Sequence, residues 1–87
     1  MLSAMDDLMD HPITVYPNPF TDYATIEFPD ARQYTKIEII DNNGALVRTL
    51  DGIKGSSVTI YKENLKPGIY FIRIYAGDMI TEKVIIR

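Results

Sequence analysis

Eighty-seven residues, with 46% hydrophobic and 24% charged side chains, make one small globular domain with a single core. A formal charge of −3, from nine Lys and Arg against twelve Asp and Glu, argues against a phosphate-binding footprint, and nucleic acid is not an expected partner. The absence of cysteine removes disulfides and thiolate metal sites, and no apolar run approaches the roughly 18 to 20 residues that span a bilayer as a helix.

In chain order, residues 1–12 come first, with Met1, Met5 and Met9 among Asp6, Asp7 and Asp10 and no period-two pattern. They read as a linker or an expression remnant, and Met5, Leu8 and Met9 share at most one face of a frayed helical turn. The front end lacks the basic-then-apolar pattern of a signal peptide, so an export signal is expected either on a preceding part of a longer protein or in this domain itself. From Ile13 onward, short runs of Ile, Val, Thr, Tyr and Phe are punctuated by Gly, Pro, Asn and Asp, the signature of an all-β sandwich. Seven antiparallel strands are expected: Ile13–Tyr16, Tyr23–Phe28, Thr35–Asp41, Ala45–Leu50, Ser57–Tyr61, Ile69–Tyr75 and Met79–Ile86. The domain, residues 13–87, is therefore an immunoglobulin-like antiparallel β-sandwich in expectation.

Alternation assigns the faces. Ala24, Ile26 and Phe28, then Ile37 and Ile39, then Val58 and Ile60 should meet in one core. The Ile69–Tyr75 run turns Tyr70, Ile72 and Ile74 to one side, and Ile69, Phe71, Arg73 and Tyr75 to the other. A second face that is half apolar marks a central strand. Asn43-Gly44 between two apolar runs predicts a two-residue type I′ hairpin, and Gly77 a second hairpin that lays the last strand beside the sixth.

Three short motifs stand out in this pattern. Tyr16-Pro17-Asn18-Pro19 follows the first strand, and its prolines confine two φ angles and the residues before them, so the chain leaves along one path. Leu65-Lys66-Pro67-Gly68-Ile69-Tyr70 opens the sixth strand, and Lys83-Val84-Ile85-Ile86-Arg87 ends the chain. Each alone is ordinary turn-and-strand chemistry. In this order, with Asn43-Gly44 between them, they resemble the type A C-terminal sorting domain of type IX secretion cargo, over about residues 13 to 87. The resemblance implies a non-enzymatic secretion signal, without cofactor, at the tail of a larger protein carried across the outer membrane of a Gram-negative bacterium. It implies as partners the translocon and its shuttle components, a missing N-terminal cargo domain, and a sortase-like peptidase cutting within or before residues 1–12. Residues matching the family's motifs, and so its recognition residues by resemblance, are Tyr16, Pro17, Asn18, Pro19, Gly44, Gly68, Tyr70, Lys83, Val84, Ile85, Ile86 and Arg87.

Two surfaces are expected to be readable: the edge of the last strand, Met79–Arg87, and the Pro17-Asn18-Pro19 turn. Exposed strand edges also offer a route to self-association. Other chemistries are poorer fits. Asp6, Asp7, Asp10 and His11 match no metal-loop spacing, and His11, the sole histidine, lies outside the patterned fold, where it cannot be held against Ser3, Ser56 or Ser57 for catalysis. Tyr16, Tyr34, Tyr61 and Tyr75 would make a sugar-stacking platform only if they shared one exposed face. Composition and periodicity fit equally well a β-sandwich accessory module that binds carbohydrate or spaces the domains of a secreted enzyme.

Overall fold

The structure, a computed structural model, describes residues 13–28, 36–53, 55–76 and 78–87. The expectations for residues 1–12, Tyr34 and Gly77 lie outside the described residues. Among those described, the elements are β1 (Thr14–Tyr16), β2 (Tyr23–Glu27), β3 (Lys36–Asp41), β4 (Leu46–Asp51), β5 (Ser57–Tyr61), β6 (Gly68–Ala76) and β7 (Asp78–Ile86). No boundary departs from the alternation-based expectation by more than one residue. The strands form two antiparallel sheets, β1-β2-β5 and β4-β3-β6-β7. A constant-type immunoglobulin sandwich carries its fourth strand on the first, second and fifth strands' sheet, whereas here the tight β3–β4 hairpin keeps β4 beside β3.

The inward faces follow from the pleat. Ala24, Ile26 and Phe28 from the three-stranded sheet meet Ile37, Ile39, Tyr70, Ile72, Ile74, Val84 and Ile86 from the other, with Ile13, Phe20 and Ile60 completing the cluster. Side chains of this kind contribute roughly 1.5 to 3 kcal/mol each on burial, against the entropy of ordering the backbone. The outer face of β6 is covered by polar contacts instead. Glu38 accepts a hydrogen bond from the Tyr75 hydroxyl at 2.8 Å, pairs with Lys36 at 3.6 Å and lies 3.9 Å from Arg73. The Lys36 ammonium sits 4.8 Å above the Tyr75 ring, so this cluster shields the strand that the core pins from below.

Arg48 on β4 joins the two sheets. Its guanidinium donates to the Tyr61 carbonyl, to the Lys62 carbonyl at 3.3 Å, and meets Glu63 at 3.3 Å. One side chain thus satisfies two carbonyls at the end of β5.

The hairpin after β3 departs from expectation. A type I′ turn needs positive φ at both central residues, but Asn42 and Asn43 keep negative φ and Gly44 alone is left-handed at 89°. Gly44 N donates to the Asp41 carbonyl at 3.0 Å, Asp41 N donates to the Ala45 carbonyl at 2.9 Å, and the Asp41 carboxylate accepts from the Asn43 and Ala45 amides at 2.9 Å each. Asp41 at the first position and Gly44 at the fourth favour a type I turn, and three loop residues then close the hairpin. The shifted register between Ile39 and Ile40 leaves Val47 unmatched, which absorbs the extra residue.

Candidate functional site

The three motifs meet at one end of the four-stranded sheet. Both prolyl bonds of the first motif, Tyr16–Pro17 and Asn18–Pro19, are cis. The chain then places Asn18 and Phe20 along the outer edge of β7. The Asn18 side chain donates from Nδ2 to the Lys83 carbonyl at 3.1 Å and accepts at Oδ1 from the Ile85 amide at 3.0 Å. Phe20 N donates to the Ile85 carbonyl at 3.0 Å, and the Phe20 carbonyl accepts from Arg87 N at 2.8 Å.

These four bonds form one parallel ladder. In such a ladder a residue bonds the carbonyl before and the amide after its neighbour on the adjacent strand. Phe20 does this around Ile86, in a parallel bridge, and the Asn18 amide does the same around Val84 with its side chain in place of a peptide unit. Asn suits the task because its amide carries one acceptor oxygen and a donor nitrogen in one plane. On the opposite edge of β7 the middle motif completes the arrangement, with Gly68 paired to Ile86 and Tyr70 to Val84. Val84 and Ile86 are therefore held on both edges and buried below, at 1% and 2% exposure.

Further along the same end, Asp41 pairs with Tyr70, which sets the Asn42–Gly44 turn beside Pro67 and Gly68 around an open depression of about 420 Å³. Tyr70 points into the core, and its hydroxyl donates to the Lys66 carbonyl at 2.6 Å, tying the turn before β6. Gly68 has φ of 154°, a region open to glycine, and an added Cβ would meet nothing within 4 Å. Gly68→Ala is therefore expected to cost ~1–3 kcal/mol through the backbone alone, read as a lower urea midpoint at unchanged m value. A variant as stable as the parent would show that the conformation carries no strain.

The structure corrects one expectation about this region. The final edge is not open along Met79–Arg87: the Lys83 carbonyl, both Ile85 backbone groups and the Arg87 amide are engaged by Asn18 and Phe20. The last apolar residues also do not stand uncovered, because Val84 and Ile86 belong to the core. What remains outward here are the side chains of Lys83 and Arg87, half-buried Ile85, and the exposed Pro17 and Asn18. Tyr16 is exposed, and its hydroxyl donates to Glu27 at 2.9 Å. That bond, ahead of desolvation and the carboxylate's charge, raises the phenol above its ordinary pKa.

The pairing role of Asn18 and the inter-sheet role of Arg48 escape sequence reasoning, since nothing local to either residue names its partner. The condition for a tyrosine platform, one shared exposed face, is not met among the described tyrosines of that set. Tyr75 lies on the outer face of the four-stranded sheet, while Tyr16, Tyr23 and Tyr61 share the outer face of the other. The Tyr23 and Tyr61 rings, 6.1 Å apart and tilted by 46°, form a cross-strand pair rather than a flat stacking surface. The Asp6–His11 segment lies outside the described residues, and among those described no group of three or more His, Cys, Asp or Glu is placed to hold a metal ion. No helix among the described residues is long and apolar enough to cross a membrane.

No curated protein matches the chain. The family model described as "Secretion system C-terminal sorting domain" matches residues 14–87, a span that contains all three motifs and every strand. The chain therefore belongs to the family of type IX secretion C-terminal sorting domains, signals that send a protein out through the outer membrane.

Proposed function

We propose that the domain is the tail of a larger exported protein, and that the secretion apparatus reads the end of the sandwich where the first and last motifs meet. The readable features are the exposed Pro17 and Asn18 and the side chains of Lys83 and Arg87, held in place by the frame beneath them. Tyr16, Pro19, Gly44, Gly68, Tyr70, Val84, Ile85 and Ile86 serve that frame: they set the turns, fill the core or complete the ladder. The observation that carries the reading is the pairing of Asn18 and Phe20 with residues 83–87, which makes two distant motifs one rigid surface.

The cargo lies on the N-terminal side, and translocon and shuttle components bind the tail in the periplasm. A sortase-like peptidase then cuts within or before residues 1–12, and the cargo is anchored to an anionic lipopolysaccharide or released. The test is a transplant. Fused behind a periplasmic reporter in a bacterium that has the type IX apparatus, residues 1–87 should move the reporter to the cell surface or the medium, and a strain lacking the apparatus should retain it. A reporter that stays periplasmic in both strains would instead favour the accessory-module reading.

A further inference from the structure

The final strand is closed at one half and open at the other. Successive residues of a strand point their backbone groups to alternate edges, and β7 pairs with β6 through its even-numbered residues while Lys83, Ile85 and Arg87 face the outer edge. By the same alternation Met79 and Thr81 present both N–H and C=O outward, and Lys83 presents its N–H. Among the described residues no strand pairs with this stretch, since β7 has β6 as its one neighbour and the Phe20 bridge lies beyond it at Ile86. Asn18 caps the open stretch by taking the Lys83 carbonyl.

We infer that Met79–Lys83 receives an extended peptide strand of a secretion partner, one that carries a carboxylate and apolar residues. The inference rests on the proposed sorting role and names the contact that serves it. The hydrogen-bonding edge specifies an extended backbone. The side chains specify the rest. Along the outer face Met79 is 51% exposed, and Thr81 and Lys83 are exposed beside Phe71 and the half-exposed Arg73. An open depression of about 340 Å³ borders Phe71, Arg73, Met79 and Thr81 and runs to Asp41 at the β3–β4 turn, so it suits an apolar side chain of the incoming strand and leaves the carboxylate to the Lys83 end. Arg73 is already drawn to 3.9 Å from Glu38, so the charge left to a partner is that of exposed Lys83, which favours a carboxylate opposite it. A second copy is a poorer occupant. In an antiparallel pair about Thr81, Lys83 would face Met79 of the other copy and find no counter-charge.

Thr81 offers a test separate from the surface proposed above. Proline at position 81 removes an outward N–H without costing a bond to β6, a change that edge strands tolerate, and Thr81→Glu keeps the N–H but sets a negative charge against an acidic partner. With the reporter fusion, both variants should lower surface display at least tenfold while the isolated chain melts at the parent temperature. If Thr81→Pro is destabilised, the display of Thr81→Glu decides. Parental display with a folded variant overturns the inference and leaves the sorting role standing, whereas a parent domain that fails to display its reporter overturns the role itself. In hydrogen exchange, the Thr81 amide of the free chain should exchange quickly beside a protected Val84; slow exchange at Thr81 would mean that the edge is already covered. A dimer by sedimentation that Thr81→Pro abolishes would make the occupant a second copy and overturn the assignment to a separate partner.

Discussion

Truncating Ile72 to alanine is expected to lower the stability of the domain by ~2–5 kcal/mol, the cost of the lost burial together with the cavity left behind. Ile72 is 1% exposed, sits on β6 opposite Ile39 of β3, and has β7 on its other side. Because ladders grip β6 at both edges, the backbone cannot move in to fill the space, and the upper part of the range applies. Small domains hold only about 5–15 kcal/mol in total, and one of this size sits toward the low end. A large unfolded fraction at 37 °C should result. Ile69→Ala is the matched control: it lies on the same strand but on the opposite face at 39% exposure, and should change stability by less than about 1 kcal/mol. Urea denaturation of both variants distinguishes the two cases. Equal, small losses would contradict the assignment of β6 as the central strand of the core.

The second large effect is expected from Asn18→Asp, which keeps the shape of the side chain and removes the donor that holds the Lys83 carbonyl. A carboxylate oxygen would then face a carbonyl oxygen, so the pair changes from attraction to repulsion while the Ile85 amide keeps an acceptor. The stretch is open to water, which moderates the loss to ~1–2 kcal/mol. The local signature should be larger than the global one: amide protection at Arg87 should fall, because its partner Phe20 is held in place by the same ladder. Surface display of a reporter should fall with it. Lys83→Ala separates frame from label, since it removes an exposed side chain and leaves the backbone carbonyl in place. Its stability should stay within about 0.5 kcal/mol of the parent while display drops. Unchanged display in Lys83→Ala would show that the apparatus does not read this side chain.

Much of the fold is legible because sandwich strands obey local rules. Ala24, Ile26 and Phe28 alternate with Tyr23, Thr25 and Glu27, and all three lie in the core, since a pleated strand has a period of two whatever its neighbours. The central place of β6 between β3 and β7 is visible for a similar reason, as its outer row of Ile69, Phe71 and Tyr75 is more apolar than a solvated edge strand carries, although Ile69 and Arg73 stay partly exposed. The turn after β3 is half legible. Gly44 marks the place where positive φ is needed, but the loop length depends on the Asp41 carboxylate and the slack at Val47. Dipeptide preference does not report either.

The candidate surface divides in the same way. Its motifs and their order are visible along the chain, and they mark the family. Their meeting is not, because the Asn18 side chain and the Lys83 carbonyl lie 65 residues apart and any exposed edge offers the same groups to any nearby amide. Residue type and spacing alone determined the strands, their buried faces and the sorting-domain signature, since each depends on sterics and burial within a few residues. Only the tertiary structure decided that the last half of β7 is shut by Asn18 and Phe20 and its first half left open. Edge hydrogen bonds carry no side-chain code, so the packing of the two sheets selects which backbones lie within reach.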